Sequence, residues 1–540
     1  MAALSTGRAG AIIAAGTLTS RALGLVRAMV LVYAISSIGF AAESFATAGK
    51  VPNTVYTLVA TGALTAVIVP QITRAALAKD GGARYINKLV TLAIVGSTVI
   101  MLVAALLTPP LIGWLTHGWP AAQVQLTTLF AFWLLPQILF YSLYTVLGEV
   151  LNARSLFGPY AWSPVLNNVL NIAGLVAFIW VVGADPDGTR GPAVWSVGAI
   201  ALVAGSATLG VAAQALVLFL FWRKAGLSYR FDPRFRGIGL GTMGRVATWT
   251  FLTVLLPQAV GLFNTRVLNL AGPTDAGLAA TELAGLIFVL PHSIITISLV
   301  TARFTRMSES VHAGDQATFT SDLTASARQA TFAMAFFTAA MLVLAFPLIR
   351  LIQPQASFTV VATVAPVLIA NLVALVPFSL LFVGNRGFFA HSDTRTPFFI
   401  ALGQSILTLA AAFACTLLPR DSIAVGLSLS ISILIAAQAV VTFIVLRTRL
   451  GVRFDGLGVS VAQFLGAGVF AGAAGYALLR LLGGTGSDSF AMSGFGGAFA
   501  TSALVTVAMA IVYGLALLLL RNTESRDLLR RVRGRLRRSR

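Results

Sequence analysis

The feature that most limits this chain's fold is a recurrence of apolar stretches about as long as a bilayer is thick. A membrane-crossing helix needs about 20 apolar residues. About fourteen such runs can be counted, near 10–37, 43–73, 87–113, 123–150, 160–183, 193–222, 246–270, 276–302, 328–352, 358–384, 397–418, 423–446, 460–482 and 495–520. In hydrocarbon each backbone N–H and C=O must be satisfied within its own segment, so runs of this length read as helices. The expected fold is an all-α integral membrane protein. Loops of at most roughly 25 residues leave no room for a soluble catalytic domain on either side. Whatever the chain does, it does within the bilayer. Charged residues make up 10% of the 540 positions, against about 25% in a soluble domain.

The net charge of +20 does not indicate nucleic acid, because the basic residues lie in short loops between apolar runs. Arg74, Lys79, Arg84 and Lys88 follow run two, Arg154 run four, and Arg223, Lys224, Arg230, Arg234 and Arg236 run six. Arg303 and Arg306 follow run eight, Arg386 and Arg395 flank the loop after run ten, and Arg447, Arg449 and Arg453 follow run twelve. The alternate loops are nearly free of Lys and Arg, with Arg190 and Arg420 as the main exceptions. Positive loops face the cytoplasm, so both termini are expected there, in agreement with an even span count. The tail RNTESRDLLRRVRGRLRRSR is densely basic and reads as an anchor on anionic lipid headgroups, with partner binding as the alternative. Cys415 lies alone in an apolar run and reads as a core residue. The four histidines show no metal-ligand spacing. No small-residue cleavage site closes the first run, so no cleavable signal peptide is expected.

Two segments resemble each other. In FYSLYTVLGEVLNARSLFGPYAWSP (140–164) and PFSLLFVGNRGFFAHSDTRTPFF (377–399), Ser142-Leu143 aligns with Ser379-Leu380 and Ala153 with Ala390 at one offset. A weaker echo links IVPQITR (68–74) with VTARFTR (300–306). Spans one to six and seven to twelve therefore read as duplicated halves: 1–236, 237–453, then a two-span segment 454–520 and the tail 521–540. Six spans per half insert in the same direction, which gives a pseudo-two-fold along the membrane normal. Duplicated bundles commonly rock about an interface site, so a transporter is favoured over a rigid channel or scaffold. Gly468 and Gly472 form a small-xxx-small pair suited to close helix packing.

Charge within the bilayer marks the candidate site. Arg21 and Arg27 lie in run one, Glu43 and Lys50 in run two. Each such charge costs about 2.5–3.5 kcal/mol at a helix centre. The two arginines point about 120° apart and lie about 9 Å apart along the axis. They can both face a wide cavity, especially with a bend at Gly24. Pro52, two residues after Lys50, frees backbone groups and bends its helix. One nearby acid leaves positive charge over, and the arginine fork suits phosphate. Snorkelling to an interface, or a static ion pair, is the alternative. Arg266, late in run seven, and Glu282, early in run eight, read as a structural lock or part of an outer gate. Gln258, Asn264 and His292 read as interhelical hydrogen-bonding groups. No phosphate-binding glycine loop, nucleophile elbow or metal motif is present in the sequence.

These motifs resemble the MurJ (MviN) family of lipid II flippases, within the multidrug/oligosaccharidyl-lipid/polysaccharide exporter superfamily. Its first-helix pattern S-R-x-L-G-x-x-R stands here as Ser20-Arg21-Ala22-Leu23-Gly24-Leu25-Val26-Arg27. Its second-helix acid, K/R-x-P-N step, E-G-A and V-P stand as Glu43, Lys50-Val51-Pro52-Asn53, Thr61-Gly62-Ala63 and Val69-Pro70. The LNAR and FFAHSDTRTP loops also match, and the resemblance covers essentially the whole chain. It implies transbilayer movement of a polyprenyl-pyrophosphate-linked disaccharide-peptide across the bacterial cytoplasmic membrane, without ATP and tied to an ion gradient or the membrane potential. It implies that Arg21 and Arg27, with Lys50 and Asn53, face the pyrophosphate, and that Glu43 pairs with arginine and gates the cavity. Spans thirteen and fourteen would form a groove for the lipid tail, and cell-wall synthesis proteins are possible partners. The chain departs from the family at Tyr56, where a basic residue is common, at Thr61, which replaces an acid, and in AGLIFVLPHSI, which lacks the usual arginine of span eight. Arg266 or His292 may compensate, and Arg21 and Arg27 would carry more of the binding. A flippase for another polyprenyl-linked glycan and a transport-inactive cell-wall scaffold are the alternative functions; a cationic-drug antiporter would favour acidic cavity residues instead.

Overall fold

The computed structural model describes residues 6–59, 82–234 and 240–520, with side chains over 12–58, 82–234 and 254–520. Thr61 to Pro70, the 68–74 half of the weaker echo, Arg236 and the basic tail lie outside these residues. The described residues contain helices and no strand. In order they are α1 (Thr6–Ile35), α2 (Gly39–Val59), α3 (Ala83–Leu115), α4 (Ala121–Leu134), α5 (Gln137–Ala153), α6 (Phe157–Val182), α7 (Val197–Phe221) and α8 (Leu240–Leu268). They continue as α9 (Leu278–His312), α10 (Gln316–Val343), α11 (Ala345–Ile352), α12 (Phe358–Leu372), α13 (Leu375–Ala390), α14 (Arg395–Cys415), α15 (Ile423–Leu450), α16 (Leu457–Leu481) and α17 (Phe495–Leu519). The chain is thus an all-helical, multi-pass membrane protein. Among the described residues, ten helical segments are long and apolar enough to cross a membrane, or twelve when each bent pair counts once. The bent pairs are α10–α11 (78°) and α12–α13 (40°). Neither α2, which carries Glu43, Lys50 and Pro52, nor α8 is in that set, so twelve spans are counted where the sequence predicts fourteen.

Local chemistry fixes many of the ends. The Asp315 carboxylate accepts the Thr318 N–H (3.0 Å) and caps α10, and Ser196 does the same for α7 through Ala199 (3.2 Å). A left-handed Gly451 ends α15. Two helices widen by one π turn, α7 at Ala201–Gly205 and α9 at His292–Thr296. Such bulges are frequent at functional sites.

By contact the chain divides into residues 1–279 and 280–540, so α8 groups with the first unit. In the first unit, α1 runs against α6, α4 against α2, and α6 against α7. Glycines permit the closest approaches. A Cβ on Gly16 of α1 would lie 2.8 Å from the Ala161 carbonyl oxygen, and one on Gly174 would lie 2.1 Å from the Ser206 side chain. Two apolar clusters close the unit at opposite ends. One gathers Ile35, Ile112, Phe130, Phe178 and Val203; the other gathers Ile86, Leu89, Leu147, Val150 and Leu218. The interior between them carries the polar residues. In the second unit α10 is central, packed by α13 and α16, with α17 against α16. Gly468 and Gly472 do meet a neighbour: their Cβ positions face Ala335 and Ala339 of α10 at 3.2 and 3.9 Å.

The two echoing segments share a backbone feature. Helices α5 and α13 both end in a turn that holds a left-handed serine, Ser155 (φ 60°) and Ser392 (φ 57°). The offset that aligns Ser142 with Ser379 also aligns these two. Leu156 N–H closes the first turn on the Leu151 carbonyl at 2.9 Å, and Asp393 N–H closes the second on Phe388 at 3.0 Å. Both are Schellman-type ends.

Candidate functional site

Helix α1 sets the two arginines. Arg21 is exposed and Arg27 half-buried. Beside Arg21, the Asn168 amide of α6 donates to the Ser20 carbonyl (3.0 Å) and hydroxyl (3.4 Å), which fixes the rotation of α1. A recess of about 480 Å³ opens here, lined by Thr17, Ser20, Arg21, Tyr144, Asn152 and Tyr160 among others. Tyr144 and Tyr160 stack at 4.9 Å with 16° between their planes. The Tyr144 hydroxyl donates to the Tyr160 carbonyl at 3.3 Å. Further along, Tyr141 packs on Tyr56 at 4.8 Å. Arg21 thus shares its recess with one of the two tyrosine pairs.

The second-helix residues divide. Lys50 is half-buried and Asn53 exposed, and the Asn53 carbonyl accepts the Thr57 hydroxyl at 2.7 Å. Helix α2 continues through a buried Pro52. At Gly24 nothing lies within 4 Å of a Cβ, so close packing does not require glycine there. Glu43, 6% exposed, turns its carboxylate to the opening of α9. It accepts from Leu278 N–H at 2.8 Å and Ala279 N–H at 3.2 Å. A carboxylate in this place satisfies otherwise orphaned amides and the positive end of the helix dipole. Nearby, Asn269 receives the Thr47 hydroxyl (3.1 Å), and its amide donates to the Leu115 carbonyl (3.0 Å). The Trp119 indole donates to the Asn269 carbonyl at 2.7 Å. The Arg266 guanidinium donates to the Trp114 carbonyl and lies 5.1 Å over the Trp114 ring. Glu282 is exposed on the first turn of α9 and belongs to the second unit, whereas Arg266 belongs to the first.

In the second unit, His292 sits in the π turn of α9 and is 2% exposed. Its Nδ1 lies 2.8 Å from the Ser379 hydroxyl, which also receives the Thr296 hydroxyl at 3.3 Å. Phe378 and Phe382 flank the imidazole at 4.6 and 5.4 Å.

Sequence reading missed the tyrosine pairs, Asn168, Asn269 and Trp114. Tyr56 alone carried a signal, as the position where a basic residue is absent.

A family profile described as "Lipid II flippase MurJ" matches residues 36–495. A probable lipid II flippase MurJ of Rhizobium meliloti is 26% identical over 416 residues, covering 76% of this chain and 75% of that protein. One of Rickettsia prowazekii is 24% identical over 412 residues, covering 74% and 76%. Among solved structures, an inward-closed lipid II flippase MurJ superposes with a TM-score of 0.71 at 16% identity, covering 94% of this chain and 99% of that one. An inward-facing multidrug resistance MATE family transporter gives 0.64 at 16% identity, covering 82% and 96%. The structural likenesses establish the shared fold.

Proposed function

The chain belongs to the lipid II flippase MurJ family, and on that premise we propose that it moves lipid II from the inner to the outer leaflet of the bacterial cytoplasmic membrane by alternating access. The observation that carries this reading is Arg21 in the wall of an open recess within the first unit. An intramembrane arginine beside a cavity marks a substrate path, and its planar fork suits the pyrophosphate of a polyprenyl-linked glycan. Arg27 and Lys50 add positive charge on the same two helices, and Asn53 adds a polar group.

The proposal includes both termini in the cytoplasm, fourteen spans, duplicated halves over 1–236 and 237–453, a lipid-tail groove over 454–520 and a basic tail on anionic lipid. Transport draws on an ion gradient or the membrane potential. Glu43 gates through its hold on α9: releasing Leu278 and Ala279 frees the start of that helix.

The test is complementation. A bacterial host is depleted of its own flippase, this chain is supplied, and lipid II on the outer leaflet is measured. Restored export is expected. Unrestored export overturns the flippase reading and favours a scaffold or another glycan carrier. Arg21→Ala with Arg27→Ala is expected to reduce export by about a hundredfold, since two charge-assisted contacts of about 1.5 kcal/mol each are removed. Export that survives both overturns the arginine mechanism alone.

A further inference from the structure

Four tyrosines of the first unit extend from the recess at Arg21 along α5. Tyr144 stacks on Tyr160 and Tyr56 packs on Tyr141. The Tyr56 hydroxyl lies 3.3 Å from that of Thr145, the residue next to Tyr144 in the chain. All four are half-buried, so ring edges and faces remain open. The wall draws on three helices, α2, α5 and α6, and α1 supplies Arg21 at the recess.

We propose that this wall is a saccharide subsite, holding the pyranose ring next to the pyrophosphate. The proposal rests on the lipid-pyrophosphate reading above and deepens it. A sugar esterified to a phosphate held at Arg21 or Arg27 lies within one ring's length of the anion. Its C–H faces are apolar and its edges carry hydroxyls. Tyrosine matches both demands, with an apolar ring for the face and a hydroxyl for the edge. A purely cationic wall would hold phosphate without distinguishing what is attached to it. Tyr56 adds a third helix to this wall and packs its ring on Tyr141.

The local construction supports a built surface. A Cβ on Gly148 would fall 2.2 Å from Cδ2 of Tyr160, so only glycine lets that ring lie flat on α5. In the second half of the repeat the positions of Tyr141 and Tyr144 are Phe378 and Leu381. Phe378 there packs on His292 and on Phe288. The hydroxyl-bearing rings belong to the first unit.

The experiment measures binding of the purified full chain to two probes, lipid II and undecaprenyl pyrophosphate without sugars. The wild type is expected to bind lipid II roughly tenfold more tightly, since each aromatic contact contributes about 0.5–1.5 kcal/mol. Tyr144→Leu with Tyr160→Leu should bring that ratio close to one. Tyr56→Lys, which does not depend on the leucine pair folding, should narrow the ratio by removing one ring from the sugar while leaving or strengthening the hold on pyrophosphate in both probes. A wild type without the preference, or variants that keep it, overturns the saccharide subsite and leaves the pyrophosphate reading intact. A wild type that binds neither lipid overturns the pyrophosphate reading, and the subsite with it.

Discussion

Helices α5 and α13 occupy matching places in the repeat, end in the same left-handed turn, and present different chemistry. Helix α5 turns Tyr141, Tyr144 and Thr145 toward an interior with Arg21 at its edge. Helix α13 turns Phe378, Ser379 and Phe382 onto a buried histidine. Its Arg386 is spent over the rings of Phe304 and Phe382, at 5.0 and 5.1 Å. The ends agree because local backbone hydrogen bonds set them, and those need only a residue that tolerates positive φ. The faces differ because each packs a different neighbour. The two helices share their joints and differ in their surfaces, one open and polar, the other filled.

The sharpest way to break this comparison is at Gly148, aligned with Asn385. Gly148→Val drives a side chain into the Tyr160 ring, and such overpacking costs about 1–3 kcal/mol. Asn385 already carries a side chain, so Asn385→Val should cost much less. Thermal unfolding of both variants in one detergent tests this. If Gly148→Val melts no earlier than its counterpart, the tyrosine wall is not held as described.

His292→Leu comes next. It removes the bond to Ser379, a loss of about 1 kcal/mol, partly offset by an apolar side chain among the phenylalanines. The melting temperature should fall slightly, with the preference for lipid II over its sugar-free form unchanged. A changed preference would mean that the second unit also reads the substrate.

How much of this was legible beforehand depends on where each signal lives. The helices were legible because apolar length is a property of each segment alone. The echo between Ser142 and Ser379 was legible, although the left-handed serines at the same offset were not singled out. The intramembrane charges were legible as costs, and their partners were not. The Glu43 carboxylate also takes backbone amides more than two hundred residues away, and amides leave no mark in sequence. The tyrosines escaped because their spacing, read along one helix, resembles ordinary aromatic packing. Only the meeting of α2, α5 and α6 makes them a surface.

The smallest expected effect is in the repeated turn itself. Asp393, aligned with Leu156, accepts the N–H groups of Arg395 and Thr396 at 3.0 Å each and so starts α14. Burial pushes this carboxyl up, but the donors of Thr396 and Arg395 and the charge of Arg449 outweigh it and hold it below the usual carboxylate range. A folded pKa below the unfolded value of about 3.9 means the stabilisation is fully present above about pH 4. It is lost as pH falls through the folded pKa. Asp393→Ala should therefore cost about 0.5 kcal/mol at neutral pH, the low end for a helix cap, because solvent screens a carboxylate this exposed. Melting curves of wild type and variant should converge in acid. A gap that persists there would mean the carboxylate contributes by packing instead of by accepting hydrogen bonds. The reciprocal change, Leu156→Asp, should recover less than Asp393→Ala loses. The residue matching Thr396 is Pro159, which has no N–H to offer, so the first turn can supply only the Gly158 N–H.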